Sequence, residues 1–134
     1  MSGIVIYTDG GARNNPGPAG IGIVIYDGEE KISEVKRYIG KATNNVAEYE
    51  ALIAGLTEAE GMDFGARSVE VRMDSELIVK QMRGEYKVKD KNLKILHGRA
   101  KGLVAGFSNI DFVHIPREDN AEADALVNEA IDSA

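Results

Sequence analysis

The hydrophobic pattern of this chain changes period along its length. Ile4-Val5-Ile6-Tyr7 is a short apolar run of β-formers and reads as a buried strand, with Asp9 at its end before Gly10-Gly11. Ile21, Ile23 and Ile25 alternate with Gly20, Gly22 and Val24, which predicts a second strand, and Asp27-Gly28 is a hairpin signal. Residues 31–39 read as a third strand with charges on one face. The period then becomes helical. Val46, Tyr49, Leu52, Ile53 and Leu56 form an apolar stripe behind Thr43-Asn44-Asn45, predicting a helix that runs to about Gly61. Val69, Val71 and Met73 alternate with Glu70 and Arg72, a fourth strand that ends at Asp74. Helix returns from Ser75 to about Arg83, breaks at Gly84 and resumes from about Asp90 to Val104. Ile110 to Ile115 reads as a fifth strand, stopped by Pro116. Asp119 or Asn120 then caps a last helix with Ala123, Leu126, Val127, Ala130 and Ile131 on its inner face.

The predicted order is βββαβααβα. Three strands so close together form an antiparallel meander, whereas strand–helix–strand connections are parallel and right-handed. The expectation is an α/β fold: a five-stranded mixed sheet, three strands antiparallel and two parallel, with helices on both faces. At 134 residues, without a repeat, linker or low-complexity stretch, residues 1–134 read as one domain.

Composition narrows the chemistry. The chain has no cysteine, so disulfides and thiolate metal sites are excluded, and an intracellular, cytoplasmic setting fits. No apolar run approaches the length of a membrane span, and the N-terminus enters a strand without a signal-like segment. A net charge of −6 argues against a polyanionic partner, but the charge is unevenly spread. Residues 80–101 hold eight of the 16 basic residues and only two acids, a net +6, and the remaining 112 residues sum to −12. A local basic patch of this kind suits a phosphate-bearing ligand.

Four acids fall where predicted elements start or end. Asp9 ends the first strand, Glu48 lies in the first turn of the first helix, Asp74 ends the fourth strand and Asp124 lies in the first turns of the last helix. Each has a local explanation: Glu48 as the far half of a capping box with Asn45, Asp74 as an N-cap, Asp124 as an acid favoured by a helix dipole. In open α/β sheets, however, ligand sites gather beyond the carboxyl ends of the parallel strands, where all four would meet. Clustered carboxylates repel unless cations lie between them, and an all-oxygen set suits Mg²⁺ or Mn²⁺ rather than zinc. Two such ions are a standard device for cleaving phosphodiesters.

The motifs Tyr-Thr-Asp-Gly-Gly (7–11), Asn-Pro-Gly-Pro-Ala-Gly (15–20), Thr-Asn-Asn-Val-Ala-Glu-Tyr-Glu-Ala-Leu (43–52), Asp-Ser-Glu-Leu (74–77) and Asn-Ala-Glu-Ala-Asp-Ala-Leu (120–126) resemble type 1 ribonuclease H in order and spacing over nearly the whole chain. The resemblance implies endonucleolytic cleavage of the RNA strand of RNA–DNA hybrids with two divalent ions, leaving 5′-phosphate products. It also implies Asp9, Glu48, Asp74 and Asp124 as metal ligands, Gly10, Asn15, Asn44 and Asn45 as contacts to hybrid backbone and bases, and Thr43 as a holder of a DNA phosphate. Ser75, next to Asp74, joins the expected substrate contacts, as do Lys87 and Lys89 of the basic segment. A monomer is expected.

The chain departs from the family pattern at several points. Glu76 stands where the family often has Gln. The long basic protrusion is replaced by the compact segment 84–94, as in the shorter archaeal and bacterial branch, and no N-terminal hybrid-binding domain is expected. There is no Trp, so stacking on the DNA strand falls to Tyr86 or another residue. The family's mobile histidine before the last Asp has no unambiguous match. Arg117, in the loop after Pro116, is the favoured helper of the metals, acting electrostatically because it stays charged; His114 is the alternative. Two other readings remain open from sequence: a nuclease with a broader substrate, such as double-stranded RNA or RNA–DNA junctions, and a noncatalytic hybrid-binding domain.

Overall fold

The computed structural model describes residues 3–62, 64 and 67–134. Its strands are β1 (Ile4–Ala12), β2 (Gly17–Asp27), β3 (Glu30–Ala42), β4 (Val69–Met73) and β5 (Ile110–His114). Its helices are α1 (Asn44–Gly61), α2 (Glu76–Met82), α3 (Lys91–Val104) and α4 (Ala121–Asp132). The strands form one mixed sheet in the order β3-β2-β1-β4-β5. The first three strands pair antiparallel, and β4 and β5 add in parallel on the other side of β1. The expected topology therefore holds.

The alternation in β2 assigns its two faces. Ile21, Ile23 and Ile25 are buried with Ile4 and Ile6 against Tyr49, Leu52 and Leu56 of α1. Fully burying each such side chain is worth about 1.5–3 kcal/mol. The glycines between them are not a solvent face, because α4 covers that side. A Cβ on Gly22 would lie 2.3 Å from the Ala123 carbonyl oxygen and 2.7 Å from Leu126 Cβ, so only glycine lets this helix sit so close to the sheet. The N-terminal caps are Thr43 for α1, Ser75 for α2 and Asp90 for α3, each accepting a hydrogen bond from the helix backbone. Asp74 is thus not an N-cap.

Three expectations at element ends need correction. β1 does not stop at Asp9: it runs on to Ala12, because Gly10, Gly11 and Ala12 continue the ladder against Ile21, Gly20 and Ala19. β3 likewise extends to Ala42 at the sheet edge. The last helix is not capped by a side chain of Asp119 or Asn120. A 3₁₀ turn over Arg117–Asn120 leads into it instead, and the Asn120 side chain turns inward to the sheet.

Candidate active site

β1 places Asp9 directly opposite Gly22, the position where α4 comes down onto the sheet. Asp124 follows Ala123, whose carbonyl meets that glycine, so the close approach delivers the α4 acid to Asp9. Glu48 arrives from the other face. It is the fifth residue of α1, one position beyond the first turn where it was expected, and its Oε1 accepts the Gly10 N–H at 3.0 Å. That bond replaces the capping-box contact to Asn45. A Cβ on Gly10 would sit 2.1 Å from the Ala47 carbonyl oxygen, so packing of α1 already demands glycine there. Asp74 follows the last residue of β4, which lies beside β1. Carboxylate oxygens of Asp9, Glu48 and Asp74 all lie within 4.8 Å of one another. Asp124 and Arg117 line the same cleft of about 530 Å³, with Arg117 Nη2 3.7 Å from Asp124 Oδ1.

This clustering costs energy. Asp9 is 7% exposed and Glu48 9%. Burial, then the charges of Asp74 and Asp124, push the Asp9 carboxyl up to about 8. Burial, then Asp9 and Asp74, hold Glu48 well above the ordinary carboxylate range. Arg117 is the cation paired with the four acids among the described residues; its side chain is 80% exposed and reaches only Asp124. A buried all-oxygen set with so little protein countercharge fits a divalent cation, whose hard charge would relieve the repulsion.

The other expected residues divide into two groups. The N-terminal turn of α1 and the β1–β2 loop are tied together beside the acids: Asn44 Oδ1 accepts the Ala12 N–H at 2.8 Å, and Asn15 Oδ1 accepts the Asn44 N–H at 2.9 Å. The oxygens of both amides are thus engaged within the protein, which leaves their NH₂ ends to face acceptors. Asn45 is exposed on the same turn, and Thr43 accepts the Val46 N–H at 3.2 Å, so its hydroxyl proton stays free to donate. The cap of α1 is this threonine, not Asn44 or Asn45. Ser75 follows Asp74 and accepts the Ile78 N–H at 3.4 Å. Lys87 and Lys89 form the second group, exposed between α2 and α3 and away from the acid cleft. His114 ends β5 opposite Met73 and does not line the cleft.

Asn120 was missed as a site residue, since the sequence marks it only as a capping candidate. It is 1% exposed, and its Nδ2 donates to the Thr8 carbonyl at 2.9 Å. This bond pins the start of α4 to the residue before Asp9, at the point where β1 parts from β4.

Residues 7–130 match the reverse transcriptase-like family. The fold superposes on a crystal structure of LC11-RNase H1 in complex with an RNA/DNA hybrid with a TM-score of 0.93, 55% identity and 97% of each chain covered. It superposes on RNase H1 from the halophilic archaeon Halobacterium salinarum with a TM-score of 0.91, 45% identity and 98% of each chain. The chain belongs to the ribonuclease H family. Within that family, it is 46% identical to the Halobacterium ribonuclease HI over 96% of this chain and 64% of that protein. It is 47% identical to a bifunctional protein of Mycobacterium tuberculosis over 98% of this chain, but spans only 36% of that protein's length. The ribonuclease H fold thus accounts for the βββαβααβα order.

Proposed function

We propose that this chain is a metal-dependent endoribonuclease that hydrolyses the RNA strand of RNA–DNA hybrids. The observation that carries the reading is the convergence of Asp9, Glu48 and Asp74 within 4.8 Å in an open cleft whose wall bears Asp124. A pure binding module gains nothing from acids that face phosphates. The 55% identity to a protein solved with an RNA/DNA hybrid supports the substrate.

In this reading Asp9, Glu48, Asp74 and Asp124 hold two divalent ions, Mg²⁺ or Mn²⁺, which when bound make water a nucleophile at neutral pH and offset charge on the phosphate. The protein's own groups supply the positioning. Gly10 and the amides of Asn15, Asn44 and Asn45 meet base edges and 2′-hydroxyls without adding charge. Thr43 and Ser75 donate hydroxyl protons to phosphates. Arg117, beside Asp124, draws the product phosphate by charge, since a guanidinium does not take a proton from water. Lys87 and Lys89 track the backbone farther along. In this reading residues 1–134 act as one catalytic domain, as a monomer and in the cytoplasm.

The test is a substrate panel: labelled RNA–DNA hybrid, double-stranded RNA and duplex DNA, each with Mg²⁺, Mn²⁺ or EDTA. The expected result is cleavage of the hybrid's RNA strand with either metal and none in EDTA. Comparable cutting of duplex RNA would replace the stated specificity with a broader one. Hybrid binding without cleavage under any metal would leave a noncatalytic domain.

A further inference from the structure

The cleft does not end at the acids. From Asp124 it continues along α4 past Val127, Asn128 and Ile131, lined also by Gly10, Gly11 and Ala12 at the end of β1 and by Arg13 just beyond it. Asn128 and Asp132 lie four and eight residues beyond Asp124 on the same helix, about 6 and 12 Å along its axis. Arg13 lines the cleft at this point. Its guanidinium donates to Asp132 Oδ1 and, at 3.3 Å, to Asn128 Oδ1. Arg13 and Arg117 are the two cationic side chains lining this cleft, Arg117 paired with Asp124 and Arg13 with Asp132 farther along α4.

We propose that Arg13 is a binding residue for the nucleic-acid backbone, holding a phosphate one or two positions along from the one between the acids, on the α4 side. This rests on the nuclease reading above. A polyanion entering a cleft rimmed by four carboxylates is repelled on either side of the metal centre, and a cation is needed where its backbone runs on. The Arg13–Asp132 pair suits that task because it is exchangeable. Arg13 is 47% and Asp132 63% exposed at the side chain, and exposed pairs of this kind contribute little to stability. Asp132 and Asn128 therefore hold the guanidinium over the cleft in the free protein, and a phosphate, with two or more acceptor oxygens in bidentate reach, takes it over.

The competing explanation is that Arg13 merely fastens the β1–β2 loop to α4. Two substitutions that break the same bond separate the two: Arg13→Ala and Asp132→Ala. Each is measured for melting temperature and for binding of a short labelled RNA–DNA hybrid across a salt series with Ca²⁺ in place of Mg²⁺, so that the acids are neutralised while binding is read. Both should lower the melting temperature slightly and equally. Arg13→Ala should weaken binding about 3–10-fold and reduce the slope of log K against log salt by about one. Asp132→Ala should bind as tightly as the parent or tighter, with the slope kept. Equal weakening in both variants, or an unchanged slope in Arg13→Ala, overturns the proposal while leaving the nuclease reading intact. A parent protein that does not bind the hybrid at all overturns both.

Discussion

Asp9 illustrates how a side chain can be placed against its own preference. In the metal-free protein, burial and the charges of Asp74 and Asp124 raise its carboxyl to about 8, against an ordinary value of 3.8. The folded state then binds the proton more tightly than the unfolded chain. The stability this contributes is full below the unfolded value and is lost as pH rises through the folded one. Asp27, Glu122 and Asp132 have lowered carboxyls, and their contributions change only at more acidic pH. Melting in EDTA should therefore show the wild type losing stability from about pH 4 to 8, with Asp9→Asn flatter over the same window; parallel curves would contradict the burial of this charge. Arg117 and His114 differ by position. Arg117→Ala should lose about ten-fold in kcat, or about 1.4 kcal/mol of barrier, while His114→Ala stays near the parent. The reverse order in steady-state kinetics would give the role back to the histidine. Asn120 acts through its neighbours: Asn120→Ala leaves the Thr8 carbonyl without its partner and should cost about 1–3 kcal/mol in stability. Because it also frees the start of α4, it should raise the metal concentration needed for half-maximal rate, which a simple loss of stability would leave unchanged.

The elements explain what could be read beforehand and what could not. The strands and helices were legible because the hydrophobic period switches cleanly between alternation and helical spacing, and α1, α2 and α3 each have a capping residue at their start. The end of β1 was not legible, because Asp9-Gly10-Gly11 looks locally like a turn and only the pairing with Ile21, Gly20 and Ala19 keeps it extended. Gly20 and Gly22 of β2 could not be assigned from their own segment either; their reasons are the Val127 and Ala123 carbonyls of α4, about a hundred residues away. The same long-range cause hid Asn120, whose partner is Thr8. The convergence of the acids, by contrast, was readable because strand ends and helix starts share one rim in this topology. Between α2 and α3 the basic stretch makes an element-scale prediction. Lys80, Arg83 and Arg99 are paired with Glu76, Glu85 and Glu50, but Lys87, Lys89, Lys91 and Lys94 have no ion-pair partner among the described residues. Changing Lys87 and Lys89 together to Ala should flatten the salt dependence of hybrid binding and raise KM more than it lowers kcat. An unchanged salt slope would make these lysines ordinary surface.

At the scale of the whole molecule, the charge distribution and the fold describe one division of labour. The chain carries −6 overall, with four of its 22 acids lining the cleft at the sheet rim and a net +6 in residues 80–101, outside that cleft. An acidic cleft alone repels a nucleic acid, and a basic patch alone binds it without chemistry. Together, with metal between the acids, they hold a backbone and act on it. The central claim is that the acid cluster is the seat of a metal-dependent cleavage of RNA in hybrids. The most direct measurement is the single-turnover cleavage of a labelled RNA–DNA hybrid by the wild type and by Asp74→Asn as Mg²⁺ is raised from zero, with the fold of both checked by their melting curves. Asn is nearly isosteric with Asp but lacks the charge. The account predicts a cleavage rate in the wild type that rises from nothing and saturates with Mg²⁺, and none in a folded Asp74→Asn. Wild-type cleavage by a folded Asp74→Asn, or cleavage that persists in EDTA, would contradict it.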